Sequence, residues 1–129
     1  MDFTIAVYGA HKLVPEEGRT VAKIMQAAAG LGFDGIDLGY YWKEENKEQE
    51  MAEAKQLAAD LNLKLVNYIV GNNFGNAIAE DRLAAEIDKV KKALDEAAFF
   101  GCKNLRVFAG GYDLEWEKYS QPIADALAE

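Results

Sequence analysis

The sequence predicts an α/β fold built on a parallel sheet, and two observations carry that prediction. Short β-branched and aromatic runs alternate with longer stretches whose apolar residues recur at helical spacing. The alternation occurs four times, with strand-like starts near residues 3, 35, 63 and 104. A succession of βα units packs as a parallel sheet with right-handed crossovers. At 129 residues, half of them hydrophobic, the chain has the size and composition of one globular domain, 1–129.

Each element has its own local reason. Phe3 to Tyr8 reads as the first strand, apolar and aromatic, closed by Gly9. Pro15, Glu16 and Glu17 supply helix-start chemistry, and Val21, Ile24, Met25, Ala28 and Leu31 form an apolar stripe that Gly30 and Gly32 stop. Gly35 to Leu38 is the second strand. The charged stretch from Lys43 to Glu50 leads into a helix carrying Met51, Ala54, Leu57, Ala58 and Leu61. Leu63 to Val70 is the third strand, followed by a loop from Gly71 to Asn76. In the third helix Leu83, Ile87, Val90, Leu94 and Ala97 make the stripe, with Glu86, Asp88, Lys91 and Asp95 on other faces. Asn104 to Phe108 is the fourth strand, and Ser120 with Pro122 marks the start of a fourth helix.

Composition narrows the function. The 14 Lys and Arg against 22 Asp and Glu leave a net charge of −8, which argues against a nucleic-acid partner. The single Cys102 can form no internal disulfide. No long apolar run and no basic–apolar leader is present, so the expectation is a cytoplasmic protein with no membrane partner.

Several residues invite a functional reading. Gly30-Leu-Gly32-Phe-Asp-Gly35 matches G-x-G-x-x-G, but it closes a helix and precedes a strand. The dinucleotide fingerprint needs the reverse order, so these glycines read as a helix cap and turn. Strand alternation puts Ile36 and Leu38 on one face and Asp37 on the other, and likewise Leu105 and Val107 against Arg106 and Phe108. A mixed set of Thr4, Tyr8, Asp37 and Arg106 then shares a partly polar face, which favours a barrel lumen over a flat doubly wound sheet. Asp37 and Arg106 can form an ion pair there, either holding a polar substrate or fixing the lumen. His11, the only histidine, lies in the first βα loop, either as a base or simply solvated. Tyr40, Tyr41, Trp42, Phe74 and Trp116 lie on the strand-exit side, where aromatics stack on a sugar face or cap a barrel mouth. Asn72, Asn73 and Asn76 are polar contacts or turn residues, and Gly110-Gly111 is a turn or a place for a ligand to approach the backbone. No spacing of His, Cys or carboxylates suits a metal, and the only serine, Ser120, is taken as a cap. The residues therefore give no catalytic set and no cofactor for this chain.

With the motifs placed, a resemblance is visible. Ala29-Gly-Leu-Gly-Phe-Asp-Gly-Ile-Asp-Leu38 resembles the helix-1 to strand-2 passage of the sugar phosphate isomerases and epimerases of the xylose isomerase-like barrel superfamily. Leu61-Asn-Leu-Lys-Leu65, Asn73-Phe74 with Glu80 to Val90, and Gly101-Cys-Lys-Asn-Leu-Arg-Val-Phe-Ala-Gly-Gly111 resemble that family's later passages in order. The resemblance implies a parallel (βα)4 half of a TIM barrel, because members are eight-stranded barrels of roughly twice this length. It also implies a divalent metal (manganese, magnesium, cobalt or zinc), held in relatives by a glutamate, an aspartate, a histidine and a glutamate on later strands, beyond residue 129. Carried over to this chain, it gives pocket-wall positions at Tyr8, at Asp37 where relatives often have Glu, and from Arg106 to Gly110. With His11, Tyr40, Asn72 and Trp116 added from the strand-exit loops, these are the candidate substrate-binding residues. The expectation is a half-barrel that is inactive alone and completes eight strands by homodimerisation through strands 1 and 4. The alternatives are a short isomerase or epimerase active as a dimer through doubled Asp37, His11 and Arg106, or a sugar- or polyol-binding module. An open flavodoxin-like sheet is the alternative fold.

Overall fold

In the computed structural model, residues 1–111, 113 and 115–129 are described. Strands β1 (Thr4–Ala6), β2 (Gly35–Leu38), β3 (Lys64–Ile69) and β4 (Asn104–Arg106) form one parallel sheet in the order β1-β2-β3-β4. Helices α1 (Val7–Ala10), α2 (Val21–Gly30), α3 (Lys47–Asp60), α4 (Phe74–Ala79), α5 (Leu83–Phe100) and α6 (Trp116–Ala128) accompany them.

Strand order decides between the two sheet architectures. A flavodoxin-like sheet changes direction at a switch point, in the order 2-1-3-4-5, and so carries helices on both faces. Sequential order with right-handed crossovers puts the connecting helices on one face only. The core agrees. Ile36, Leu38, Tyr68 and Val70 are buried with Ile24, Met25 and Ala28 of α2, Ala54 and Ala58 of α3, and Ala93, Ala97 and Phe100 of α5. Asp37, Asn67 and Arg106 alternate with these residues and face the other way. This excludes the flavodoxin-like alternative.

The third strand, which lacks clean alternation in the sequence, contains the reason. Ile36 pairs with Leu65 and Leu38 with Tyr68, so β3 takes three steps where β2 takes two. That bulge brings both Leu65 and Tyr68 to the helix-covered side, with Val66 and Asn67 between them. It also frees the Asn67 N–H, which donates to Asp37 Oδ1 at 3.2 Å.

Several boundaries differ from expectation. The first strand ends at Ala6, and Tyr8 lies in the helical turn α1. Helix α2 is capped by Thr20, whose hydroxyl accepts from the Lys23 N–H, rather than starting at Pro15; Leu31 falls just past its end and is exposed. The 71–76 loop contains the start of α4. Asn73 Oδ1 caps that helix by accepting from the Asn76 N–H. Strand β4 stops at Arg106, and α6 begins at Trp116 instead of Ser120, with Pro122 inside it. In α5 the buried stripe runs through Glu86, Ile87, Ala93, Ala97 and Phe100, while Leu94 is 54% exposed. Glu86 turns inward because its carboxylate accepts the Asn73 N–H at 2.8 Å, with Arg82 and Lys89 beside it. A second small core of Phe74, Ile87, Ile123 and Ala126 seats α6 against α4 and α5. Among the described residues no helix is long and apolar enough to cross a membrane.

Candidate functional site

The strand exits gather one cluster on the face the helices leave bare. The ladder pairs Leu38 with Tyr68 and Tyr68 with Leu105. Arg106 therefore stands level with Ile69 and Gly39, while Asp37 stands two residues deeper, level with Ala6 on β1. Two residues of strand are about 6–7 Å. The expected Asp37–Arg106 ion pair does not form. Asp37 is held by Asn67, and Arg106 Nη1 donates instead to the Tyr8 hydroxyl.

That hydrogen bond joins the exits of the two outer strands, which in a flat sheet would lie about 14 Å apart. Around it the Arg106 guanidinium lies 4.8 Å from the Phe108 ring centroid and 5.8 Å from that of Tyr8. Tyr40 meets Tyr8 edge-on at 5.8 Å, and Tyr41 lies 6.3 Å from Tyr40 and 5.3 Å from the His11 ring. His11 Nδ1 contacts the Tyr8 carbonyl. A carbonyl only accepts, so the neutral ring carries its proton on Nδ1 and offers Nε2 as an acceptor. Burial pushes the Tyr40 phenol up, and the Tyr8 phenol adds to that, with the positive charge of Arg106 opposing. The phenol therefore stays neutral and keeps a hydrogen to donate.

Local backbone holds the cluster in place. Gly39 turns the chain out of β2 at φ +130°, and Tyr41 follows in the left-handed region at φ +68°. Asn72 is buried, and its amide spans the Phe108 backbone, donating from Nδ2 to the carbonyl at 2.7 Å and accepting its N–H at 2.8 Å. Asn72 thereby fixes the ring on which Arg106 rests. Gly110 packs on Asn73, whose Oδ1 also accepts the Gly111 N–H at 3.0 Å. Of the eight candidates from sequence, the structure brings together Tyr8, His11, Tyr40 and Arg106. Asp37 lies deeper, Asn72 and Gly110 lie behind the wall, and Trp116 stands exposed at the start of α6. Phe108 and Tyr41 complete the cluster. Phe108 carried a signal in the sequence, since it shares a strand face with Arg106.

A second polar group, unseen in the sequence, lies under the helices. Trp42 Nε1 donates to the Tyr68 hydroxyl at 2.9 Å, which donates to Glu96 Oε2 at 2.6 Å, and Lys47 pairs with Glu96 Oε1 at 2.5 Å. These residues border a cleft of about 400 Å³ between the β2 and β3 exits and α5. A larger cleft of about 920 Å³ lies farther out, between the start of α3 and α5, away from the strand-exit cluster. Burial, reinforced by the hydrogen bond to Glu96, pushes the Tyr68 phenol far up from its ordinary value of about 10. The native state thus keeps a proton that the unfolded chain releases. Its contribution is intact below pH ~10 and is lost as pH rises above that, at up to about 1.4 kcal/mol per pH unit. Tyr68→Phe is expected to be less stable than the parent at pH 8 by about 1–2 kcal/mol. The gap should narrow steadily above pH ~10 in urea titrations; a constant gap would contradict the assignment.

Among the described residues no three His, Cys, Asp or Glu side chains converge on a position that could hold a metal ion. The described residues therefore do not fit a divalent-metal site.

A family model described as xylose isomerase-like TIM barrel matches residues 25–129. The chain belongs to that family. No curated protein matches it. Membership accounts for the bare face of the sheet: in a xylose isomerase-like TIM barrel that face lines the lumen, and strand exits form the ligand-bearing rim. The cluster of Tyr8, His11, Tyr40, Tyr41, Arg106 and Phe108 lies at the strand exits of this sheet.

Proposed function

We propose that this chain is a sugar- or polyol-binding half-barrel whose lumen is completed to eight strands by a second copy, and that it binds rather than converts its ligand. The observation that carries the reading is the Arg106–Tyr8 hydrogen bond across a sheet face that no helix covers. It supports a concave wall already shaped for a ligand. Tyr40 and Tyr41 offer flat apolar faces for the C–H side of a sugar ring, while the Tyr8 hydroxyl and His11 Nε2 suit its hydroxyls. Binding without turnover is the reading the donor set favours, since among the described residues of one copy no three His, Cys, Asp or Glu side chains converge.

Two features support closure by a second copy. Strands β1 and β4 each have a single neighbour, so each leaves an open edge. Apolar side chains stand exposed beside both: Phe3 (62%) ahead of β1, and Trp116 (63%) and Leu127 (54%) on the helix after β4. A twofold along the barrel axis would pair β4 of each copy with β1 of the other and bury both edges.

Calorimetric titration of the intact chain with neutral pentoses and their polyols tests the reading. Binding is expected for at least one of them, weakened about tenfold or more in Tyr40→Ala and unchanged in Leu31→Ala, whose side chain is exposed just past the end of α2. No binding across the panel at millimolar concentrations would contradict it.

A further inference from the structure

We propose that closing the barrel pairs Arg106 of each copy with the partner's Asp37, so that the lumen is held by a ring of four alternating charges. The inference rests on the closure proposed above and names the contact that selects a second copy of this chain as the partner. It starts from two charges left open within one chain. Arg106 is exposed and forms no ion pair among the described residues. Asp37 is half-buried, and among the described residues it accepts only the Asn67 N–H, through Oδ1. The neighbours on this face are neutral: Thr4 and Ala6 on β1, and Asn67 and Asn104, whose side-chain amides bond to each other. Lys64, at the entry of β3, is already paired with Asp2 at 2.6 Å. A bare sheet face with one acid and one base lacking counter-charges is complementary to itself, which is what a twofold contact requires.

The register places the two charges in one layer. In a barrel of eight strands and shear eight, the strands lean by about 36° in the right-handed sense. The residue at a given height therefore moves about one position toward the strand exit with each successive strand. Arg106 lies two strands beyond Asp37 and stands two residues nearer the exit along the ladder. Along the barrel axis the two thus share a height, as do the residues that alternate strands contribute to one layer of four side chains. A twofold along the axis preserves that height. The layer then runs Asp37, Arg106, the partner's Asp37, the partner's Arg106, and each charge has an opposite one on either side. Within its own chain the Arg106 Nη1 is spent on the Tyr8 hydroxyl, which leaves its remaining N–H donors for the partner's carboxylate. Closure also removes water from this layer. An unpaired charge there is costly, so the pairing becomes a condition of closure.

The test uses charge-reversed chains, which separate pairing between copies from pairing within one. Arg106→Asp leaves only acids in the layer and Asp37→Arg only bases. Each variant alone is expected to sediment at 14.2 kDa under conditions where the parent is a dimer. Mixed one to one, they are expected to form a heterodimer near twice 14.2 kDa, because both contacts between copies then join opposite charges. In Arg106→Gln alone, the dimer dissociation constant should rise at least about a hundredfold. Variants that dimerise alone as well as the parent would overturn the inference and leave closure standing. A mixture of the folded variants that stays monomeric would also overturn it. A parent that is monomeric throughout would overturn both. Should the charge-reversed chains fail to fold, Asp37→Asn and Arg106→Gln take their place, since the new amide keeps an acceptor for the Asn67 N–H. Their mixture should associate more tightly than either variant alone, and equal association would overturn the inference.

Discussion

Phe100→Ala is expected to cost about 3–5 kcal/mol of stability, a large part of the roughly 5–15 kcal/mol that a domain of this kind possesses. Phe100 ends α5 and is 6% exposed. Its ring stacks on Trp42 at 5.8 Å and on Tyr68 at 5.7 Å, and meets Phe99 edge-on at 5.1 Å. Truncation leaves a cavity between the β2 exit loop, β3 and α5, because those neighbours are themselves fixed. Trp42 and Tyr68 are tied to each other and to Glu96 by hydrogen bonds. Collapse into the cavity would break that chain, so the site relaxes little and the cost falls at the upper end of the range. Urea unfolding reads it as a lower midpoint at unchanged slope. Phe99→Ala is the control: Phe99 is 41% exposed and packs under the Lys55 side chain, so its loss should cost well under half as much.

Gly39→Ala should be at least as damaging, for a different reason. Gly39 sits at φ +130°, where an L side chain is strained. A Cβ there would lie 1.9 Å from the Ile69 carbonyl oxygen and under 3 Å from the Ile69 carbon and nitrogen. These are backbone atoms of β3, so relief requires separating β2 from β3 at the level where Arg106 stands. The expected loss exceeds about 3 kcal/mol, and the rim cluster should be displaced with it. Gly30→Ala, at a position where an added Cβ meets nothing within 4 Å, is expected to be neutral or slightly stabilising. Thermal unfolding of the two variants side by side separates a specific clash from a general effect of replacing glycine.

Much of this architecture was legible in the residues. Gly35 to Leu38 is a strand at its expected boundaries, the four βα units are parallel, and the motif from Ala29 to Leu38 pointed to the family that residues 25–129 match. What remained hidden depended on pairing between distant segments. The broken alternation of Leu65 to Val70 marks β3 as irregular, but alternation alone cannot show where it takes an extra step against β2. Asp37 and Arg106 share a face, as alternation predicted, but the register that separates them by two residues is set by the ladder. Glu86 looks like a solvent-facing residue until Asn73, thirteen positions away, supplies a backbone donor. Helix α4 was hidden because Gly75 and the asparagines read as a turn, whereas the Asn73 side chain caps a helix there. The partner of a buried tyrosine is equally invisible in one dimension: Tyr68 and Glu96 are 28 residues apart.

In the function proposed above, the bare face of this sheet is a lumen that a second copy closes. Light scattering of the chain over a range of concentrations measures this most directly. The expected result is a species near twice 14.2 kDa that dissociates only on dilution. A folded species of 14.2 kDa at every concentration would contradict closure and leave the strand-exit cluster facing solvent.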